Sequence, residues 1–190
     1  RNKDSKFLGV RPILEEKDFH ECQAKSMKRY HFGEYEWISY LTAKVRIDNL
    51  SLLYLKKGCN FEKKMALFSE TSPFWFMSAH ALFQINSPVV TLYATLSNDN
   101  ILHALNFTKV TGILVDKRTG PRIIPLMSQI PSLKTIYCLK CQLDITEANL
   151  TQGHSVDVVV LDDMDFDKKI MPLDKDKIQN LAPSPKDLAF

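Results

Sequence analysis

With 190 residues and a formal net charge of +3, the chain has too small a basic excess to argue for nucleic acid, and its lysine pairs (Lys56-Lys57, Lys63-Lys64, Lys168-Lys169) are scattered rather than striped. At 45% hydrophobic and 25% charged residues it reads as one globular domain with an irregular arm, long enough to bury roughly 70% of its unfolded surface without disulfides. Four cysteines (Cys22, Cys59, Cys138, Cys141) are too few for a disulfide scaffold and fit a reducing compartment, and no run of about 18 apolar residues offers a membrane span.

Residues 1 to about 34 read as polar and irregular. Gly33 to Tyr40 alternates as a short strand with Tyr35 and Trp37 on one face. Thr42 then caps a helix to about Lys57, stopped by Gly58, with a ragged apolar stripe at Val45, Leu52, Leu53 and Leu55. Met65 to Ser69 is a short strand. Ser72-Pro73 is a strong helix start, because serine caps and proline lacks only an N–H that has no partner there. That helix runs to about Asn86 and is apolar nearly all round (Phe74, Trp75, Met77, Ala81, Leu82, Phe83, Ile85), so it is expected to be sandwiched. Phe76, His80 and Gln84 form its softer stripe, which makes His80 a solvent-edge or hydrogen-bonded structural histidine rather than a base.

Pro88 opens a strand through Tyr93, and Ser97 caps a helix buried through Ile101, Leu102 and Leu105. Gly112 to Val115 is another strand. Pro121, Pro125 and Pro131 keep any following helix short. Lys134 to Leu139 and Val156 to Leu161 complete the strands, and the charged, proline-dotted tail from Asp162 reads as a linker. Alternating strands and helices predict an α/β fold with a mostly parallel sheet flanked by helices. The expected divisions are an arm over 1–60, an α/β subdomain over 61–161, and a linker with the start of a strand over 162–190.

Side-chain chemistry is sparse. Cys138-Leu-Lys-Cys141 is a CxxC without the second pair a structural zinc site needs. Asp163-Met-Asp165-Phe-Asp167 with Asp174 has calcium-loop spacing, but Lys168 stands where the turn requires glycine. Asn49, Asn106 and Asn149 open Asn-x-Ser/Thr triplets that read as chance matches. There is no Gly-x-Gly-x-x-Gly, no glycine-rich loop with lysine, and no nucleophile elbow. No catalytic residue, metal ligand or cofactor is therefore assigned to the chain itself.

The ordered run Ala66-Leu-Phe-Ser-Glu-Thr-Ser-Pro-Phe-Trp-Phe-Met-Ser-Ala-His-Ala-Leu-Phe83, Pro88-Val-Val-Thr-Leu-Tyr-Ala-Thr-Leu96, His103-Ala-Leu-Asn106 and Val110-Thr-Gly-Ile-Leu114 resembles the long-chain acyl-CoA synthetases of the adenylate-forming superfamily. Gly33 to Tyr40, Pro131 to Tyr137 and Pro183 to Phe190 extend the likeness to residues 9–190. The resemblance implies the N-terminal portion of a fatty-acid–CoA ligase. Such an enzyme joins a fatty acid to AMP from ATP with Mg2+, releasing pyrophosphate, and passes the acyl group to the thiol of CoA. It implies an intracellular, membrane-associated enzyme at the cytosolic face of the endoplasmic reticulum, the mitochondrial outer membrane or the peroxisome.

In the family the phosphate loop, ribose-binding acid, magnesium-binding acid and C-terminal lysine lie beyond the position of Phe190, so none is carried over. The chain starts with Arg1 and reads as a piece of something longer, inactive alone. A truncated relative that only binds or pairs is the other reading. Tyr93, Ala94 and Thr95, leaving the C-terminal end of a parallel strand, are the substrate-tunnel candidates. Ser51 and Leu53 replace the family's small-residue turn, which costs roughly 1–3 kcal/mol in a close-packed contact. Leu188-Ala189-Phe190 should begin an unfinished strand whose open edge invites aggregation.

Overall fold

Helix starts follow the local capping chemistry. In a computed structural model that describes residues 2–20, 26–139, 156–161, 178 and 181–187, Ser72 Oγ accepts the Trp75 N–H at 3.1 Å and Pro73 opens the helix behind it. Ser97 Oγ accepts the Asn100 N–H at 3.4 Å. The acidic tail, Cys22, Cys141, Asn149 and Leu188 to Phe190 lie outside the described residues.

The chain divides into two compact units, residues 1–43 and 44–190. In the first, the stretch expected to be irregular holds three strands: β1 (Lys6–Val10), β2 (Ile13–His20) and β3 (Ser26–Phe32). β1 pairs antiparallel with β4 (Glu36–Ser39), and β2 with β3. The β2–β3 ribbon exposes both Ile13 and Leu14, so neither face is buried at that end and no apolar alternation marks it in the sequence. Tyr35 and Trp37 stack at 5.3 Å, as their spacing predicted. The next helix, α1 (Tyr40–Lys56), begins earlier than expected. Its cap is Ser39, whose Oγ accepts the Thr42 N–H at 3.2 Å, and not Thr42.

In the second unit α1 ends as glycine requires. Gly58 takes φ +84°, its N–H donates to the Leu55 carbonyl, and the Cys59 N–H reaches back to Tyr54. The buried stripe of α1 is Ile47, Leu50, Ser51 and Tyr54, a spacing of three to four, while Val45, Leu52, Leu53 and Leu55 are only partly covered. The expected stripe failed because two polar residues belong to the buried face. Asp48 and Ser51 sink there because α2 (Pro73–Gln84) supplies partners. Gln84 Nε2 donates to Asp48 Oδ1 at 3.1 Å, and Ser51 Oγ lies 2.7 Å from Gln84 Oε1. Ser51, fully buried, therefore bridges the helices instead of forcing them apart.

Among the described residues the second unit's sheet has five parallel strands in the order β6-β5-β7-β8-β9. These are β5 (Met65–Phe68), β6 (Val89–Thr91), β7 (Gly112–Val115), β8 (Thr135–Leu139) and β9 (Asp157–Leu161). Side chains alternate across it. Ala66, Phe68, Ile113, Val115, Ile136 and Cys138 join one core with α3 (Asn98–Thr108), the short helix α4 (Gly120–Ile123) and the 3-10 turn Ile124–Gln129. Tyr137 points to the other face, where its ring meets Tyr54 of α1 edge-on at 5.1 Å. Tyr54 Oη donates to Ser78 of α2, so α2 lies under α1. Buried Phe74, Met77, Ala81 and Leu82 fit the sandwiched position expected for α2. His80 is exposed, against Phe76 at 4.3 Å.

Candidate functional site

The chain leaves β5 toward one face of the sheet, and leaves its neighbours β6 and β7 toward the opposite face. Such divergence opens a crevice at the C-terminal ends of parallel strands, where open α/β sheets bind ligands. Two crevices result, and the structure treats them differently.

Between β5 and β7 the crevice is filled. Buried Asp116, just past β7, accepts the Glu70 N–H on Oδ2 at 2.6 Å, and the N–H groups of Arg118 and Thr119 on Oδ1 at 2.8 and 2.9 Å. Thr119 Oγ1 donates to the Phe68 carbonyl at 2.5 Å and accepts from the Asp116 N–H at 3.0 Å. Arg118 pairs with Glu70 above them. A carboxylate that takes several backbone N–H groups replaces the hydrogen bonds that an irregular strand exit would otherwise leave unmade.

Between β5 and β6 the crevice is open. It is a cleft of about 470 Å³ lined by Ser69, Glu70, Thr71 and Trp75 on one side and Thr91, Leu92, Tyr93 and Ala94 on the other. That volume lies within the roughly 300–1,000 Å³ of small-molecule sites. Tyr93 and Ala94 line it, and Tyr93 is 79% exposed at its mouth. Thr95 follows in the same turn and is exposed, but it is not among the lining residues. The Tyr93–Ser97 turn is held from behind. Arg122 Nη1 donates to the Ala94 carbonyl at 2.6 Å, Nη2 to the Leu96 carbonyl, and Nε and Nη2 to Asn98 Oδ1 at 3.2 and 3.0 Å. The same guanidinium lies 5.5 Å from the Phe68 ring centre.

Sequence reading found the β6 side of this cleft and missed the rest. Ser69 reads as a strand end and Trp75 as part of an apolar helix, and with Glu70 and Thr71 they belong to the stretch that carries the family resemblance, but none reads as a site residue. Asp116 and Thr119 carried one usable sign: an Asp directly after a strand, with Thr three residues on, is a side-chain-capped turn. Arg122 carried none, because its partners, two backbone carbonyls and the Asn98 side-chain oxygen, lie 24 to 28 residues away. Among the described residues no three His, Cys, Asp or Glu side chains converge, so none is assigned to Mg2+. Cys138 is buried in β8, and the other half of its CxxC lies outside the described residues. Asn106 sits in α3 with its amide donating to the Gln129 carbonyl at 2.9 Å. No described helix is long and apolar enough to cross a membrane.

At the opposite, N-terminal edge of the sheet, Cys59 Sγ lies 3.8 Å from Tyr137 Oη. Burial pushes the Cys59 thiol up and raises both Tyr54 and Tyr137 far above the ordinary phenol range. These acids bind their protons more tightly folded than unfolded. Their contribution to stability is complete below pH 9.0, the ordinary cysteine value, and is lost as the pH climbs beyond that and past 10.0, the ordinary tyrosine value. Titrated at 295 nm, two of the six tyrosines should ionise only together with the loss of helical circular dichroism. Ionisation of all six with the dichroism intact would refute this burial.

Comparison with known proteins supplies the family. The chain matches the AMP-binding enzyme family over residues 19–190. It is 25% identical over 154 residues to long chain acyl-CoA synthetase 8 of Arabidopsis thaliana, covering 80% of this chain and 21% of that protein. It is 27% identical over 188 residues to fatty acyl-CoA synthetase A of Dictyostelium discoideum, covering 99% and 25%. The chain thus spans about a quarter of the length of these curated relatives. Its fold is similar to the A domain of the carboxylic acid reductase of Segniliparus rugosus, solved with AMP and a co-purified carboxylic acid. There the TM-score is 0.68 at 13% identity, over 89% of this chain and 29% of that one. A red-emitting luciferase of Phrixothrix hirtus aligns with a TM-score of 0.51 at 21% identity, over 63% and 24%. The expected α/β architecture of an adenylate-forming enzyme is the one observed, and the chain belongs to the AMP-binding enzyme family.

Proposed function

We propose that this chain is the N-terminal portion of a long-chain fatty-acid–CoA ligase and that the β5–β6 cleft takes the acyl substrate. In the ligase reaction a fatty-acid carboxylate attacks the α-phosphorus of ATP, pyrophosphate leaves, and the CoA thiol then displaces AMP from the acyl carbon. The role assigned here is the first binding surface. The observation that carries it is the open cleft at the C-terminal ends of β5 and β6, with Trp75, Leu92, Tyr93 and Ala94 as its apolar wall and Ser69, Thr71 and Thr91 as polar contacts. Similarity to acyl-CoA synthetases across 80–99% of the chain supports the substrate class. Tyr93 and Ala94 contact the acyl chain in this reading, and Thr95 shapes the turn.

ATP, Mg2+ and CoA belong to the complete ligase; no residue of this chain is assigned to them. The 190-residue chain alone is expected to release no pyrophosphate from ATP and palmitate above a heat-killed control. A diazirine-bearing palmitate analogue should label the peptides spanning 69–75 or 91–95, and unlabelled palmitate should remove that label. Turnover by the pure chain would end the reading that it is inactive alone, and label spread evenly over the chain would end the acyl assignment.

A further inference from the structure

The two walls of the cleft come from different loops, yet one short segment grips both. Asp116 and Thr119 hold the β5 exit through the Glu70 N–H and the Phe68 carbonyl. Arg122, one helical turn beyond Thr119, holds the β6 exit through Ala94, Leu96 and Asn98. The β5 grip closes the neighbouring crevice. The guanidinium of Arg122 also lies over the ring of Phe68, the last residue of β5, next to Ser69 of the opposite wall. A planar guanidinium can satisfy two carbonyls and an amide oxygen at fixed angles. The Tyr93–Ser97 loop is tied at its two ends, by the Leu92 N–H to the Leu67 carbonyl and by the Ser97 cap of α3, and Leu96 packs on the core; within it the Leu96 N–H donates to the Tyr93 carbonyl, and Arg122 adds side-chain bonds to the Ala94 and Leu96 carbonyls between those ends.

We propose that Arg122 is a positioning residue for the acyl cleft: by clamping the Ala94–Asn98 turn from behind, it sets the spacing between the Tyr93–Ala94 wall and the Ser69–Trp75 wall. This rests on the acyl reading of the cleft. Arg122 is not among the residues lining the cleft and acts only through the turn it holds. Its replacement should therefore weaken binding without touching the ligand.

The test pairs hydrogen exchange with a fluorescent fatty acid, using the full chain. In Arg122→Met the Leu96 amide, the one within 93–98 that is hydrogen-bonded, should exchange at least about tenfold faster, while those of 112–115 keep the wild-type rate. Binding of cis-parinaric acid should weaken about five- to tenfold. Arg122→Lys keeps the charge but offers a point donor in place of a fork, so it should fall between. Ser51→Ala, which loosens the α1–α2 contact away from the cleft, should lower thermal stability and leave probe affinity within about twofold. That comparison separates positioning from general destabilisation. Unchanged exchange at Leu96 in both Arg122 variants overturns the clamp, and so does faster exchange with wild-type probe affinity. A wild-type chain that binds no probe overturns the acyl reading instead, and exchange alone then decides whether Arg122 holds the turn.

Discussion

Asp116→Ala should lower the stability of the chain by about 3 kcal/mol, read as a fall in urea midpoint without a change in slope. One carboxylate there accepts three backbone N–H groups, from Glu70, Arg118 and Thr119. Alanine would leave all three buried or half-buried without a partner, and each orphan costs about 1–3 kcal/mol before the loop relaxes. Asp116→Asn tests the cause. It keeps one acceptor and turns the other into an amide that faces a donor, so it should lose roughly half as much. If alanine costs less than about 1 kcal/mol, the turn is held by the Thr119 bonds and the Glu70–Arg118 pair instead.

Tyr54→Ala should cost about 4 kcal/mol, the range for removing a buried aromatic ring. Tyr54 is fully buried, stacks edge-on against Tyr137 and donates to Ser78 Oγ. Its loss empties the junction of α1, α2 and β8 together. Tyr54→Phe keeps the ring and gives up one hydrogen bond, so about 1 kcal/mol is expected. A phenylalanine variant as unstable as the alanine one would assign the effect to the Ser78 bond rather than to packing.

Much of this fold was legible because its signals are local. Ser72-Pro73 and Ser97 mark helix starts through a bond three residues long, and Gly58 marks a stop through its own backbone angle. Short runs such as Gly112–Val115 are buried on both faces, as a parallel sheet demands. The misses share another physical origin. β2 and β3 form a ribbon exposed over Ile13–Asp18 and Arg29–Phe32, with Glu16 opposite Tyr30 and Lys17 opposite Arg29, so no core imposed a pattern on these residues. The α1 stripe was misjudged because the partners that let Asp48 and Ser51 be buried lie 30 to 36 residues on. The cleft was half legible for the same reason. Strand exits can be read along the chain, but Asp116 and Arg122 act across loops that only the folded topology brings together.

The bridge between α1 and α2 also determines how the two helices can meet. Gln84 faces Asp48 with its amide nitrogen and Ser51 with its amide oxygen, and Lys44 closes the row on Asp48. Sliding α1 by a single residue along α2 would carry Asp48 and Ser51 off the two ends of the Gln84 amide, while the Lys44–Asp48 pair, internal to α1, would move with it. An all-leucine seam would tolerate such a slip at little cost. This one does not, so the buried polar bridge favours a single registration of the two helices.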